Sequence, residues 1–509
     1  MRRYSFSRPA KWRIATLVLV HLLIAAHIIH WKLAGTSLAS IQLSDAGRFA
    51  AEGVATAAFV LFTVLVLATL VFGRFFCAWG CHMLALQELC RLGLQRIGIR
   101  PKLIRSRVLL VVPFYAAFTI YLQPVCERLW LGQPFPTPRF APLSANLWAA
   151  LPGRVEAPII VLLGLLMIYL LGGLSFCKYV CPYGAVFALA DTLALGRIRL
   201  TGVCDGCGRC TAACTTGVRV HAEVQQLGMV ASSGCMRCFE CVSACPHQVL
   251  AYRFGRPALS APRRFGLNRS AFAPAEEAVA LIAFTVTFLA LNGVYDAVPL
   301  LLAAGAGVVA SYVAVLVLRA GRQPALAIRG IALKQSGHWM PAGVVFLVGV
   351  LAVGCTVGHS SFIQYHQWRA TAALRSLGFP GIRPRYLAAD AQQARAAAEH
   401  LDFCSRYGLA DTVDWNMKLA WLGRILAEPQ RVEHHLRRAI ALDPAQPAAH
   451  FNLGKELVRQ GRGAEAQRAF AEAVRLEPSL GQFVPAISDR ARREPAPGDA
   501  DFAAASPAG

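Results

Sequence analysis

Seven apolar stretches, at residues 14–31, 53–72, 107–124, 157–176, 278–295, 297–318 and 341–358, dominate what this chain can fold into. Each approaches the ~20 residues that a helix needs to cross about 30 Å of hydrocarbon, where backbone amides find partners only within the protein. Composition agrees: 56% of the 509 residues are hydrophobic and only 16% are charged, an apolar surplus beyond that of a soluble globular enzyme. The expected fold class is an α-helical integral membrane protein of about seven spans, in contact with the lipid bilayer. The first run follows Arg2, Arg3, Arg8, Lys11 and Arg13 and lacks a small-residue cleavage site, so it reads as a retained helix rather than a signal peptide.

Charge then sets direction. The formal charge of +23 would point to nucleic acid in a soluble chain, but here it collects in loops, and no nucleic-acid partner is expected. Residues 91–107 carry Arg91, Arg96, Arg100, Lys102, Arg105 and Arg107 without an acid. Residues 250–275 carry Arg253, Arg256, Arg263, Arg264 and Arg269, again without an acid, and Arg319, Arg322, Arg329 and Lys334 follow the sixth run. All of these fall on one side if the N-terminus is inside. The expected location is a bacterial inner membrane, with residues after 358 in the periplasm.

Between the fourth and fifth runs lie Cys204, Cys207, Cys210 and Cys214, then Cys235, Cys238, Cys241 and Cys245. Both quartets have the spacing C-x2-C-x2-C-x3-C, in which three thiolates on one tight loop reach three corners of a cubane and the fourth points elsewhere. In two-cluster ferredoxins the fourth Cys ligates the other cluster. That rule assigns one [4Fe-4S] cluster to Cys204, Cys207, Cys210 and Cys245, and the other to Cys235, Cys238, Cys241 and Cys214. A zinc site built from two C-x2-C pairs does not account for the triple repeat with its trailing Cys. Cys245 is followed by Pro246, whereas Cys214 is followed by Thr215. Metal ligation also suits 16 Cys that are not scattered as a disulfide framework would be.

Two further pairs end the second and fourth runs, Cys77 with Cys81 and Cys177 with Cys181. On a helix, positions i and i+4 share a face, so each pair presents two sulfurs together. Arg74 and Lys178 are basic neighbours that favour thiolate. These four cysteines are the candidate catalytic residues; thiol redox, metal binding and quinone contact all remain open.

The stretch Gly73-Arg74-Phe75-Phe76-Cys77 through Cys81, the second motif Cys177 through Cys181-Pro182-Tyr183-Gly184 and the double quartet resemble NapH/NosR-type membrane polyferredoxins over roughly residues 50–250. The resemblance implies electron transfer between the quinone pool and periplasmic reductases, or support of their metal-centre maturation. The related CcoG-type proteins imply copper reduction as the alternative. His82 stands where that family's first motif has Pro. The first run begins near residue 14, which tilts the resemblance toward the shorter NapH-like architecture, without the flavin-binding domain of NosR.

After residue 358 the pattern is helical and polar. Ala439-Ile440-Ala441-Leu442-Asp443-Pro444 returns 34 residues later as Ala473-Val474-Arg475-Leu476-Glu477-Pro478, which resembles a tetratricopeptide repeat and implies a docking face for a periplasmic protein. The expected domains are 1–198 (four spans with both Cys pairs), 199–252 (double-cluster ferredoxin-like), 253–358 (three spans), 359–486 (helical repeats) and 487–509 (Ala- and Pro-rich tail, expected to be disordered). His21, His27 and His30 on the first run, with His359 and His366 after the seventh, form a weaker candidate for a quinol or copper site. Cys90, Cys126, Cys355 and Cys404 have no companions at ligand spacing. The leading expectation is membrane-bound iron-sulfur electron transfer with quinol as small partner. Metal maturation and a redox-sensing scaffold are the alternatives.

Overall fold

The computed structural model describes residues 7–34, 37–38, 43–99, 101, 103–130, 132, 134–141, 143–144, 156–261, 270–377 and 391–484. The tail 487–509 and the basic residues Arg2, Arg3, Arg100, Lys102, Arg263, Arg264 and Arg269 lie outside them. The chain divides into two compact units, Met1–Phe288 with Leu300–Val350, and Leu289–Pro299 with Leu351–Gly509.

Among the described residues, four helices are long and apolar enough to cross a membrane: Arg8–Ala34, Pro274–Leu291, Leu300–Arg322 and Pro341–Ser376. Their lipid character shows in what they leave uncovered. Leu19, Leu22 and Leu23 are each more than half exposed, an apolar belt that water would not tolerate. The other three expected spans are shorter or interrupted. Ala57–Phe72 and Glu156–Leu171 are 16 residues each, about 24 Å at 1.5 Å per residue. They stop because Gly73 and Gly172 take φ of 75° and 106°, which L side chains rarely adopt. The third run is a helix, a π turn and a second helix: Val112–Ala117, Phe118–Leu122 and Gln123–Trp130. Pro124 has no amide to give the preceding turn and its ring crowds that turn's carbonyl, which accounts for the widened turn before it.

In the first unit, Ser311 donates to the Ala280 carbonyl at 2.8 Å and ties the Pro274–Leu291 and Leu300–Arg322 helices together. The segment after them, expected only as a basic loop, is an antiparallel meander of Leu326–Ile328, Ile331–Gln335 and His338–Trp339. Its turns place Arg329-Gly330 and Ser336-Gly337 at positive φ, the pairing that matches strand twist in two-residue hairpins. The seventh run does not end at 358: its helix continues to Ser376, because no glycine or proline in 359–376 interrupts it.

The second unit is a stack of helices. Val413–Ile425 and Pro447–Arg459 start 34 residues apart, as do Pro429–Leu442 and Gly463–Leu476, so the sequence period is also a structural one. Trp415, Leu419, Leu422, Leu436, Leu457 and Phe470 fill the core. Gly454 lets Phe470 approach so closely that a Cβ would meet its ring at 2.7 Å.

His435 bonds Asn416 Oδ1 at 2.9 Å within this stack. Burial, then the nearby His434 and Arg431, push its pKa down to about 4. The folded value lies below the unfolded ~6.5, so the neutral ring contributes stability above about pH 6.5 that is lost as pH falls toward 4. Thermal unfolding of the full protein in detergent, with hydrogen exchange read over residues 413–442, should show a midpoint falling between pH 6.5 and 4.5. His435→Gln should flatten that dependence.

A candidate iron-sulfur centre against the apolar helices

Two antiparallel strands, Gly196–Leu200 and Leu250–Phe254, close the Cys-rich segment at its two ends. The two Cys loops between them repeat at a spacing of 31 residues, Cys204 to Cys235 and Cys214 to Cys245. Their backbones repeat too. Gly206, Gly208 and Gly217 have φ of 75°, 73° and 71°, and the equivalent Arg237, Phe239 and Gln248 have 55°, 62° and 53°. Left-handed turns at these points wrap each loop back on itself and bring its sulfurs to one side. The first loop does this with glycine at no steric cost, whereas each side chain in the second costs roughly 1–2 kcal/mol. Ile198, Val218, Val220, Val224, Val230 and Leu250 form the small core beneath both loops.

The structure brings the eight sulfurs into two cavities. Cys204, Cys207, Cys210 and Cys245 line the first, with Asp205, His221 and Pro246. Cys214, Cys235, Cys238 and Cys241 line the second, with Thr216, Arg237 and Phe239. Each cavity therefore takes three thiols from one loop and the fourth from the other. Burial pushes the Cys238 thiol up to about 12 and raises that of Cys241 as well. Thiols buried in this way ionise only beside a cation, and the four cysteines that line this cavity are a donor set that fits iron. Where Cys214 lacks its proline, Thr216 Oγ1 and the Val218 amide each lie 3.3 Å from its sulfur. His221 and Thr211 bond each other at 2.8 Å beside the first cavity.

The second loop is bolted to the apolar part of the chain. Asp191, on the Pro182–Leu193 helix, is fully buried and pairs with Arg237 at 2.8 Å and Arg197 at 3.3 Å. It also accepts from the Arg74 amide at 3.2 Å. Arg237 further donates to the Gly196 and Cys235 carbonyls at 3.2 and 2.9 Å, and its own carbonyl accepts from the Trp79 indole at 3.0 Å. Gly73 makes room for it: a Cβ there would lie 2.7 Å from the guanidinium. A second tie comes from the start of the first helix, where Ser7, just before it, donates to Glu240 at 2.9 Å and buried Arg13 lies 3.9 Å from the same carboxylate. Sequence reading missed Asp191, Arg197 and Arg237. The available signal was a lone carboxylate in the apolar stretch 182–195, which is costly unless paired.

The Cys-x3-Cys pairs are not on continuous helices. Cys77 sits in the five-residue helix Phe75–Trp79 and Cys177 in Ser175–Tyr179. Cys81 and Cys181 are extended residues at the N-caps of the next helices. The shared-face argument is thereby corrected: Gly80 and Val180 end the helices first. Even so, Cys77, Cys81, Cys177 and Cys238 all pack on one small cluster of Leu17, Ala78, Leu84, Leu174 and Met236. Among the histidines, His21 bonds the Leu17 carbonyl of its own helix at 2.7 Å. His359 lies 3.3 Å from the Tyr295 hydroxyl, and His366 lies 2.9 Å from His400. Cys404 is buried and donates to the Ile363 carbonyl at 3.6 Å.

Residues 197–246 match the 4Fe-4S dicluster domain family, and residues 54–100 and 156–201 each match the 4Fe-4S binding domain family. With the apolar helices, these matches define the class: a membrane protein that carries 4Fe-4S ferredoxin domains. Among curated relatives, the chain is 25% identical over 203 residues to an uncharacterized protein of Methanocaldococcus jannaschii (38% of this chain, 76% of that one). It is 24% identical over 242 residues to the putative electron transport protein YccM of Escherichia coli K12 (46% and 64%). It is 28% identical over 198 residues to Protein NirI of Paracoccus denitrificans (36% and 26%). The match thus spans less than two thirds of the last two relatives. No solved structure matches the chain.

Proposed function

We propose that the chain is an iron-sulfur electron-transfer protein of the bacterial inner membrane, passing single electrons between the quinone pool and a periplasmic redox system. The carrying observation is the pair of four-thiol cavities, each completed by a cysteine from the other loop, in a domain bonded to apolar helices through Asp191. When bound, [4Fe-4S] clusters supply one-electron transfer without organic chemistry. Cys204, Cys207, Cys210 and Cys245 would hold one, and Cys214, Cys235, Cys238 and Cys241 the other.

The remaining residues tune those positions. Ile198, Val220, Val224 and Leu250 exclude water from the sulfurs, and the Val218 amide donates to Cys214. Such burial and hydrogen bonding are the protein's means of setting reduction potential. The basic loops support clusters on the cytoplasmic side. The helical stack, with its 34-residue period, supports a docking role toward a periplasmic protein, since such stacks present extended binding faces.

The test is anaerobic. The full chain, purified in detergent without oxygen, should hold iron and acid-labile sulfide and give reduced-state EPR signals from two nearby clusters. A menaquinol or ubiquinol analogue should reduce them. Iron-sulfur content with no quinol reduction would remove the quinone partner and leave electron transfer; zinc in place of iron would remove the whole reading.

A further inference from the structure

The two halves of the apolar region share one plan. A 16-residue apolar helix ends at a left-handed glycine, Gly73 or Gly172. A five-residue helix follows with the first Cys, and the second Cys caps the next helix. The positions correspond at an offset of 100 residues, Cys77 to Cys177 and Cys81 to Cys181. Each of the two matches to the 4Fe-4S binding domain, 54–100 and 156–201, contains one such pair. Two thiols are half of what an iron-sulfur cluster needs.

The fold pools the halves. Cys77, Cys81 and Cys177 pack on one apolar cluster, and a Cβ on Gly184 would lie 3.0 Å from the Cys177 carbonyl and 3.6 Å from Cys181 Cβ. Three of the four sulfurs already accept a hydrogen bond: Cys177 from Gln87 Nε2 at 3.0 Å, Cys181 from the Gly184 amide at 3.4 Å, and Cys77 from Arg74 Nη2 at 3.9 Å. Arg74 is 5% exposed, and its Nε has no partner. A cation buried this deeply calls for anionic charge beside it. Its Nη2 approaches Cys77 and would lie 3.4 Å from that same Gly184 Cβ. Among the described residues, no three His, Cys, Asp or Glu groups converge as one metal ion requires.

We propose that Cys77, Cys81, Cys177 and Cys181 form a single four-thiolate site for a third iron-sulfur cluster, with Arg74 as its buried counter-charge. This rests on the iron-sulfur reading above and deepens it. Three of its cysteines, Cys77, Cys81 and Cys177, pack on the same apolar cluster as Cys238 of the second cavity, which places the site beside the dicluster domain, where an electron relay needs a station.

The test is metal and sulfide content of the anaerobically purified full chain. Wild type should hold about twelve iron and twelve labile sulfide per chain, four per cubane. Cys77→Ser combined with Cys177→Ser should hold about eight, with the EPR signals of the dicluster domain unchanged. An independent readout uses native wild type: the four thiols should resist alkylation until iron is chelated, while exposed Cys126 reacts at once. Arg74→Gln should shift the potential of the component lost in the double variant. About eight iron in wild type, or alkylation of the four thiols without iron loss, overturns the proposal while leaving the broader reading standing. One equivalent of zinc or copper on these thiols overturns it too. Absence of iron from Cys204–Cys245 would instead sink the broader reading.

Discussion

Asp191→Ala should release the second Cys loop from the apolar helices. The substitution strands two guanidiniums, Arg197 and Arg237, that are at most 1% exposed. Removing one partner of a buried ion pair costs about 3–5 kcal/mol, because the charge left behind has neither water nor counterion. The loss should be local. Arg237 holds a left-handed backbone position between Cys235 and Cys238, and without its anchor that conformation has little to sustain it. The expected result is rapid chelation of iron from the second cavity and faster hydrogen exchange at residues 196–200 and 235–241, with the first cavity little changed. Asp191→Asn, which keeps shape and one acceptor, should fall between. Equal loss from both cavities would mean that Asp191 supports the domain as a whole rather than this loop.

The second large effect concerns the crossed thiols. Cys245→Ser should empty the cavity of Cys204, Cys207 and Cys210, and Cys214→Ser that of Cys235, Cys238 and Cys241, each removing about four iron per chain. Combinations sharpen the reading. Cys245→Ser with Cys207→Ser should still remove only about four, because both substitutions fall on one cavity. Cys245→Ser with Cys238→Ser should remove about eight from the dicluster domain. Iron quantitation alone distinguishes these, and uncrossed ligation would reverse the two outcomes.

Much of this was legible in the sequence because the chemistry allows few spacings. Three thiolates on one loop cannot reach a cubane at many separations, so the quartets identify themselves, and the ferredoxin rule supplied the crossing. Hydropathy located every long apolar helix. It did not locate every end: the second run stops with its helix at Phe72, but the fourth overruns Leu171, because a left-handed residue such as Gly172, or the missing amide of Pro124, stops or widens a helix without altering mean hydropathy. Helical periodicity failed at the Cys pairs because Gly80 and Val180, with φ of −124° and −130°, end the short helices between the two sulfurs. Asp191 stood out as a lone carboxylate in an apolar stretch, but its partners, 6 and 46 positions away, were not legible. The duplication across residues 57–96 and 156–193 was readable in principle from Phe76-Cys77 and Phe176-Cys177, but the sequences between those points have little else in common.

The contrast between glycines at 206 and 208 and side chains at 237 and 239 reaches into biogenesis. One loop can take its working shape wherever it is synthesised, since no neighbour has to enforce its backbone. The other acquires its shape only when Arg237 meets Asp191, a carboxylate on the separate helix Pro182–Leu193. Crossing of the fourth thiols then couples the two: the glycine loop can be shaped early, but its cavity is closed only when Cys245 has been made and folded back beside Cys204, Cys207 and Cys210, so neither cavity is complete before the other loop is in place.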